Sequence, residues 1–142
     1  PCPTSSCPRM MTMTTYLADS SAWIDFLRRR GSRLHSFIRD NSAGHTEPVA
    51  MELLSGTLSD DSARDVERLL RRSPFMGFDS AADFPAATTL RHEAQRRGLR
   101  VGGIDCMILV VAGRCGATLI TRDRPQAALA SAFGMSAVLL QT

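Results

Sequence analysis

From Thr14 onward the chain alternates short apolar runs with stretches of helical periodicity, and this alternation constrains the fold more than any other feature. Thr15-Tyr16-Leu17-Ala18 has the length of a buried strand rather than of a helix, and it stops at Asp19. Ser20 or Ser21 can cap a helix there, with Ala22, Trp23, Phe26 and Leu27 on its apolar face and Arg28-Arg29-Arg30-Gly31 as its stop. A second helix is predicted over about Leu34 to Arg39. A short strand or turn near Gly44-His45-Thr46-Glu47 then leads to Pro48, which suits a first helical position, and Ser55-Gly56 ends that helix.

Asp60 to Arg72 places acids at its start and arginines at its end, the order a helix dipole favours, and reads as an exposed amphipathic helix. Phe75 to Asp79 is predicted as a short strand. Ala81 to Arg97 is predicted as a helix punctuated by Pro85 and closed by Gly98, and Gly102-Gly103 opens another over Ile104 to Arg114. Ala117-Thr118-Leu119-Ile120-Thr121 is the clearest strand; a helix from Pro125 to Phe133 and a strand over Ala137 to Leu140 follow. Strands alternating with helices predict an α/β fold, a central mostly parallel sheet covered by helices on both faces.

Pro1 to Met13, PCPTSSCPRMMTM, has no hydrophobic periodicity and is expected to be a disordered leader or a non-native extension, with Met11 or Met13 as a natural start. Residues 14–142 then form one domain, within the usual size range of a single core. No apolar run approaches the roughly 18 residues of a membrane span, so no membrane partner is expected. Cys106 and Cys115, nine apart on one predicted helix, are expected to be buried small hydrophobes rather than parts of a disulfide framework, which fits a cytoplasmic protein.

The chain has a formal charge of +3, and all 17 of its basic residues are arginine. The lack of lysine excludes P-loop nucleotidases, whose motif requires Gly-Lys, and Schiff-base enzymes. His35, His45 and His92 show no zinc-binding spacing. Arginine forks suit phosphate oxygens, although the runs at 28–30, 71–72 and 96–97 read first as solvated helix ends.

Asp19 and Asp123 each follow an apolar strand, and the crevice at the carboxyl ends of parallel strands is where ligands bind. Asp105 stands where a glycine pair opens a helix, whose free N–H groups favour a carboxylate. Four fragments lie in order along the chain: Leu17-Ala18-Asp19-Ser20-Ser21-Ala22, Met51-Glu52-Leu53-Leu54-Ser55-Gly56, Gly103-Ile104-Asp105-Cys106-Met107-Ile108 and Leu119-Ile120-Thr121-Arg122-Asp123. Together they resemble the four acidic signatures of the PIN-domain ribonucleases, in particular the VapC toxins of type II toxin-antitoxin systems. One departure is Cys106, where family members often carry a small residue such as alanine.

The resemblance implies a PIN-like three-layer α/β/α sandwich and a metal-dependent endoribonuclease toxin. It implies Asp19, Glu52, Asp105 and Asp123 as the catalytic cluster, with Mg²⁺ or Mn²⁺ held by Asp19, Asp105 and Asp123, and Ser21 and Thr121 as hydroxyl-bearing support. Arg122 and Arg124, flanking Asp123, are the candidates for contact with RNA. The partners implied are an RNA substrate, a cognate antitoxin of the VapB type and a second copy of the chain in a homodimer. A catalytically inactive PIN module that binds RNA or a protein is the alternative. Receiver domains and haloacid-dehalogenase-type phosphatases also place an Asp after their first strand, but both rely on a lysine that is missing here. Asp25, Asp60, Asp61, Asp65 and Glu67 are read as solvated faces or caps, and Glu47 is the alternative to Glu52 as a ligand, with Glu52 favoured.

Overall fold

The computed structural model describes residues 15–29, 31–56 and 59–141; the expected leader at residues 1–13 and the Arg30 of the helix stop lie outside that set. The element order is β1 (Tyr16–Ala18), α1 (Ser20–Arg28), α2 (Leu34–Arg39), β2 (Ala43–Gly44), α3 (Glu47–Leu54), α4 (Asp60–Arg72), α5 (Ser80–Arg96), α6 (Gly103–Arg114), β3 (Thr118–Thr121), α7 (Arg124–Ala132) and β4 (Ala137–Leu139). Among the described residues the sheet has the order β2-β1-β3-β4, with every pair parallel. The α/β expectation therefore holds.

The central strands explain the layering. Successive residues of a strand point to opposite faces, and Leu17 with Ala18 and Leu119 with Ile120 are all fully buried. Both faces of the sheet are covered, as a three-layer α/β/α sandwich requires. Trp23 from α1, Leu34, Val49, Ile108, Leu109 and Leu129 fill the surrounding core.

Tyr16 pairs with both Ala43 and Thr118, so the chain leaves β1 towards one neighbour and later returns to its other side as β3. The strand order reverses there, and such a switch point opens a crevice at the carboxyl ends of the two strands. Ala18 lies opposite Ile120, and the Asp19 N–H donates to the Ile120 carbonyl at 2.9 Å. The register thus puts Asp19 beside Thr121, two residues before Asp123.

Local chemistry accounts for most element boundaries. Ser59 caps α4, accepting from the Ser62 N–H, and Gly98 takes a φ of 78° just beyond the end of α5. Four expectations are corrected. Asp19, rather than Ser20 or Ser21, caps α1, its side chain accepting from the Ala22 N–H. Pro85 does not interrupt α5, which runs on through it to Arg96.

Phe75 to Asp79 is not a strand: only an isolated parallel bridge joins His45 to Phe75. Gly44 permits that close approach, because a Cβ there would stand 3.0 Å from the Pro74 carbonyl oxygen and from the Met76 Cε. Finally, Cys106 is buried with a free thiol, whereas Cys115 is half-buried and disulfide-bonded. Cys115 is the C-cap residue of α6, partly buried against the core at the helix end.

Candidate active site

Asp19 is 3% exposed at the end of β1. Its Oδ1 accepts from the Ser21 hydroxyl at 2.7 Å and from the Ala22 N–H at 3.1 Å. Burial pushes its carboxyl above the ordinary 3.8, the Thr121 and Ser21 hydroxyls and the Ala22 N–H draw it back, and the charge of Asp123 adds to the rise. Ser21 and Thr121 both enter the hydrogen bonding around these acids. The two hydroxyl oxygens lie 3.2 Å apart, and the Asp123 N–H donates to Thr121 Oγ1 at 2.9 Å.

Asp105 lies at the third position of α6, behind the Gly102 N-cap. Its carboxyl is pushed up from 3.8 to about 6, first by burial and then by the negative charges of Asp123, Asp19 and Glu52, while the Gly102 backbone N–H draws it down. Asp123, Asp19 and Glu52 thus all act on Asp105 electrostatically, which puts the four predicted acids in one region beyond the ends of β1 and β3. Glu52 approaches from α3, exposed, and accepts from the Ser20 hydroxyl of α1.

The other predicted residues divide. Arg124 is exposed at the start of α7, next to Asp123. Arg122 instead turns its guanidinium onto Asp25, with Nη1 2.7 Å from Oδ1. Glu47 does not stand in for Glu52: its Oε1 accepts from the Phe78 N–H at 2.6 Å.

Two residues at the site were not anticipated. Asp25, read as solvated, has a side chain only 3% exposed and is bound by both Arg29 and Arg122. Its position four residues after Ser21 on α1 is the one sequence signal that could have drawn attention to it. Gln126, 1% exposed, donates from Nε2 to the Asp105 carbonyl oxygen at 3.0 Å and so joins α7 to the first turn of α6; among the described residues its Oε1 has no hydrogen-bond partner. Nothing in the sequence pattern marks it.

Among the described residues, no group of three acidic, histidine or cysteine side chains is arranged to hold a metal ion as it stands. The donor chemistry nonetheless fits a hard divalent cation. Mg²⁺ binds through one or two carboxylates and keeps several waters, so it does not need a closed protein cage. The repulsion already present at Asp105 is what a cation between these acids would relieve.

Beside Glu52, helices α1, α3 and α4 frame a cavity of about 410 Å³, with Ile24, Leu27, Leu53 and Val66 as apolar lining and Arg28 and Asp65 among its charged residues. Among the described residues no helix is long and apolar enough to cross a membrane.

A family model described as PIN domain matches residues 16–131. The chain is 38% identical over 114 residues to VapC ribonuclease Mb1587 of Mycobacterium bovis, covering 75% of this chain and 85% of that protein. Its fold resembles DNA-bound VapBC from Salmonella typhimurium, with a TM-score of 0.74 at 20% identity over 89% of this chain and 98% of that one. It also resembles VapBC-5 from Mycobacterium tuberculosis, with a TM-score of 0.62 at 20% identity over 92% and 100% of the two chains.

Proposed function

The chain belongs to the PIN-domain family, in its VapC branch, and on that premise we propose that it is a metal-dependent endoribonuclease toxin that cleaves RNA phosphodiester bonds through Asp19, Glu52, Asp105 and Asp123. The observation that supports this best is the placement of acids at the carboxyl ends of β1 and β3, where Asp105, pushed up to about 6 first by burial, is also opposed by the charges of Asp123, Asp19 and Glu52. A half-buried carboxylate cluster of this kind costs stability unless a cation or a substrate group uses it.

In this reading Asp19, Asp105 and Asp123 hold Mg²⁺ or Mn²⁺. When bound, the ion supplies a water of lowered pKa and a counter-charge for the departing oxygen. The chain's own residues set the geometry. The Ser21 hydroxyl and the Ala22 N–H hold Asp19 Oδ1, and Thr121 favours its charged form. Ser20 holds Glu52 at the rim. Arg124, exposed beside Asp123, is placed to bind a neighbouring phosphate with its planar fork.

The partner in this reading is a VapB-type antitoxin that neutralises the toxin in the cytoplasm. The acidic cluster attracts a cationic side chain of such a partner, and the cavity lined by Ile24, Leu27, Leu53 and Val66 accepts an apolar helix beside it. We take the toxin itself to be a homodimer.

The test is incubation of purified protein with total cellular RNA in excess EDTA, Mg²⁺ or Mn²⁺, with the RNA ends sequenced. Discrete cuts made only with the cation support the reading. Undiminished cutting in EDTA would overturn the metal-dependent mechanism, and intact RNA with bound Mn²⁺ would favour the non-cutting alternative.

A further inference from the structure

Residue 122 lies along α1 and is held to it at two points. Its backbone N–H donates to Ser21 Oγ at 2.9 Å, and its guanidinium reaches Asp25 Oδ1 at 2.7 Å, one helical turn further on. Thr121 and Asp123, the residues on either side, belong to the acidic site: Thr121 Oγ1 faces Ser21 Oγ and receives the Asp123 N–H. The turn carrying Asp123 thus has no independent position; it is anchored to the helix that Asp19 caps. From these contacts we propose that Asp25 and Arg122 are a positioning pair, which holds the Thr121-Arg122-Asp123 turn against α1 and so sets the approach of Asp123 to Asp19.

Burial argues that the pair is committed to this task. The Asp25 side chain is 3% exposed and the Arg122 side chain 30% exposed. A carboxylate removed from water keeps its charge only where hydrogen-bonded cations satisfy it, and withdrawing Arg122 towards a phosphate would break one of its two ion pairs. Asp25 also accepts from Arg29 Nε at 2.8 Å, with the Arg29 side chain 42% exposed. That second arginine has a practical consequence. When Arg122 is truncated, Asp25 is still paired, so an Arg122 variant can fold while the turn loses its anchor.

The proposal rests on the ribonuclease reading for its effect on turnover, and an arm that needs no activity separates the two. Cleavage of an oligonucleotide spanning a mapped cut site would be compared for wild type, Arg122→Ala, Arg122→Lys, Asp25→Asn and the Asp25→Asn/Arg122→Ala double variant. Misplacement of a reacting group by about 1 Å costs on the order of 100-fold, so kcat should fall about 10- to 100-fold in either alanine or asparagine variant. KM should stay within about threefold, and the double variant should be no worse than the poorer single one, as for two residues acting as a unit. Arg122→Lys, which keeps the charge but not the fork, should recover part of the turnover.

Independently of cleavage, hydrogen exchange at the Arg122 and Asp123 amides should accelerate about tenfold in Arg122→Ala, with α4 and α5 unchanged. A uniform acceleration throughout the chain would mean that the pair only stabilises the fold. A raised KM with unchanged kcat, and a salt dependence of RNA binding reduced by about one charge, would make Arg122 a phosphate ligand instead. Wild-type kcat in Asp25→Asn would also overturn the proposal. If Asp25→Asn does not fold, the two Arg122 variants decide by the same criteria. If the wild type cuts nothing, the ribonuclease reading falls and the exchange arm still tests the anchor.

Discussion

Replacing Asp105 by Asn should stabilise the metal-free protein near neutral pH. Asp105 titrates near 6 in the folded chain, against 3.8 for an ordinary aspartate, because burial and three neighbouring carboxylates oppose its charge. A folded pKa raised above the unfolded one gives stability that is complete below the unfolded value and lost as pH rises through the folded one. At about 1.4 kcal/mol per unit, the displacement corresponds to on the order of 3 kcal/mol withdrawn at neutral pH. Partial exposure of the side chain reduces that figure, and asparagine retains some cost of burying a polar group, so roughly 1–3 kcal/mol is expected back.

For a chain of this length, a gain of that size is a rise in Tm of about 3–10 °C. The assay is thermal unfolding of wild type and variant in EDTA between about pH 4 and pH 8, where the advantage should shrink to near zero at the acid end because wild-type Asp105 is then neutral. Added Mg²⁺ or Mn²⁺ should raise the wild-type Tm and raise the variant's less. An advantage independent of pH, or a variant less stable than wild type at about pH 7.5, would refute the electrostatic account.

Three further outcomes are expected. Asp19→Asn should lose at least about 100-fold in RNA cleavage with its fold retained by circular dichroism, since its buried carboxylate sits at the centre of the hydrogen-bonded site. Ser21→Ala leaves the Arg122 N–H without its acceptor and removes one of the donors to Asp19; denaturant unfolding should show a loss of about 1–3 kcal/mol. His45 is buried, and its imidazole is lowered from 6.5 by that burial, against the Pro74 backbone and the charge of Glu47. Its contribution should be present above 6.5 and lost as pH falls through the lower folded value, so the stability difference between wild type and His45→Gln should narrow on acidification.

The order of strands and helices was legible because it rests on local properties: apolar runs too short for helices, amphipathic periods, and glycine or serine at the breaks. The same locality placed Asp19 and Asp123 after β1 and β3, at the ends of parallel strands. It could not say that Phe75 to Asp79 would form a single bridge, because that depends on the space Gly44 leaves beside Pro74 and Met76. Glu52 could be joined to the cluster only through family resemblance; its approach to Asp105 depends on how α3 packs beside α1 and α6.

Asp25 and Arg122 show the difference most clearly. Read along the chain, one is a polar residue on a helix and the other a cation beside an acid, and both are ordinarily solvated. Only the packing of α1 against the end of β3 buries the carboxylate and leaves it partners from 97 residues further on as well as from its own helix. Periodicity determines which face a residue occupies, whereas the partner it meets there depends on strand register and crossover, which the close-packed interior settles collectively.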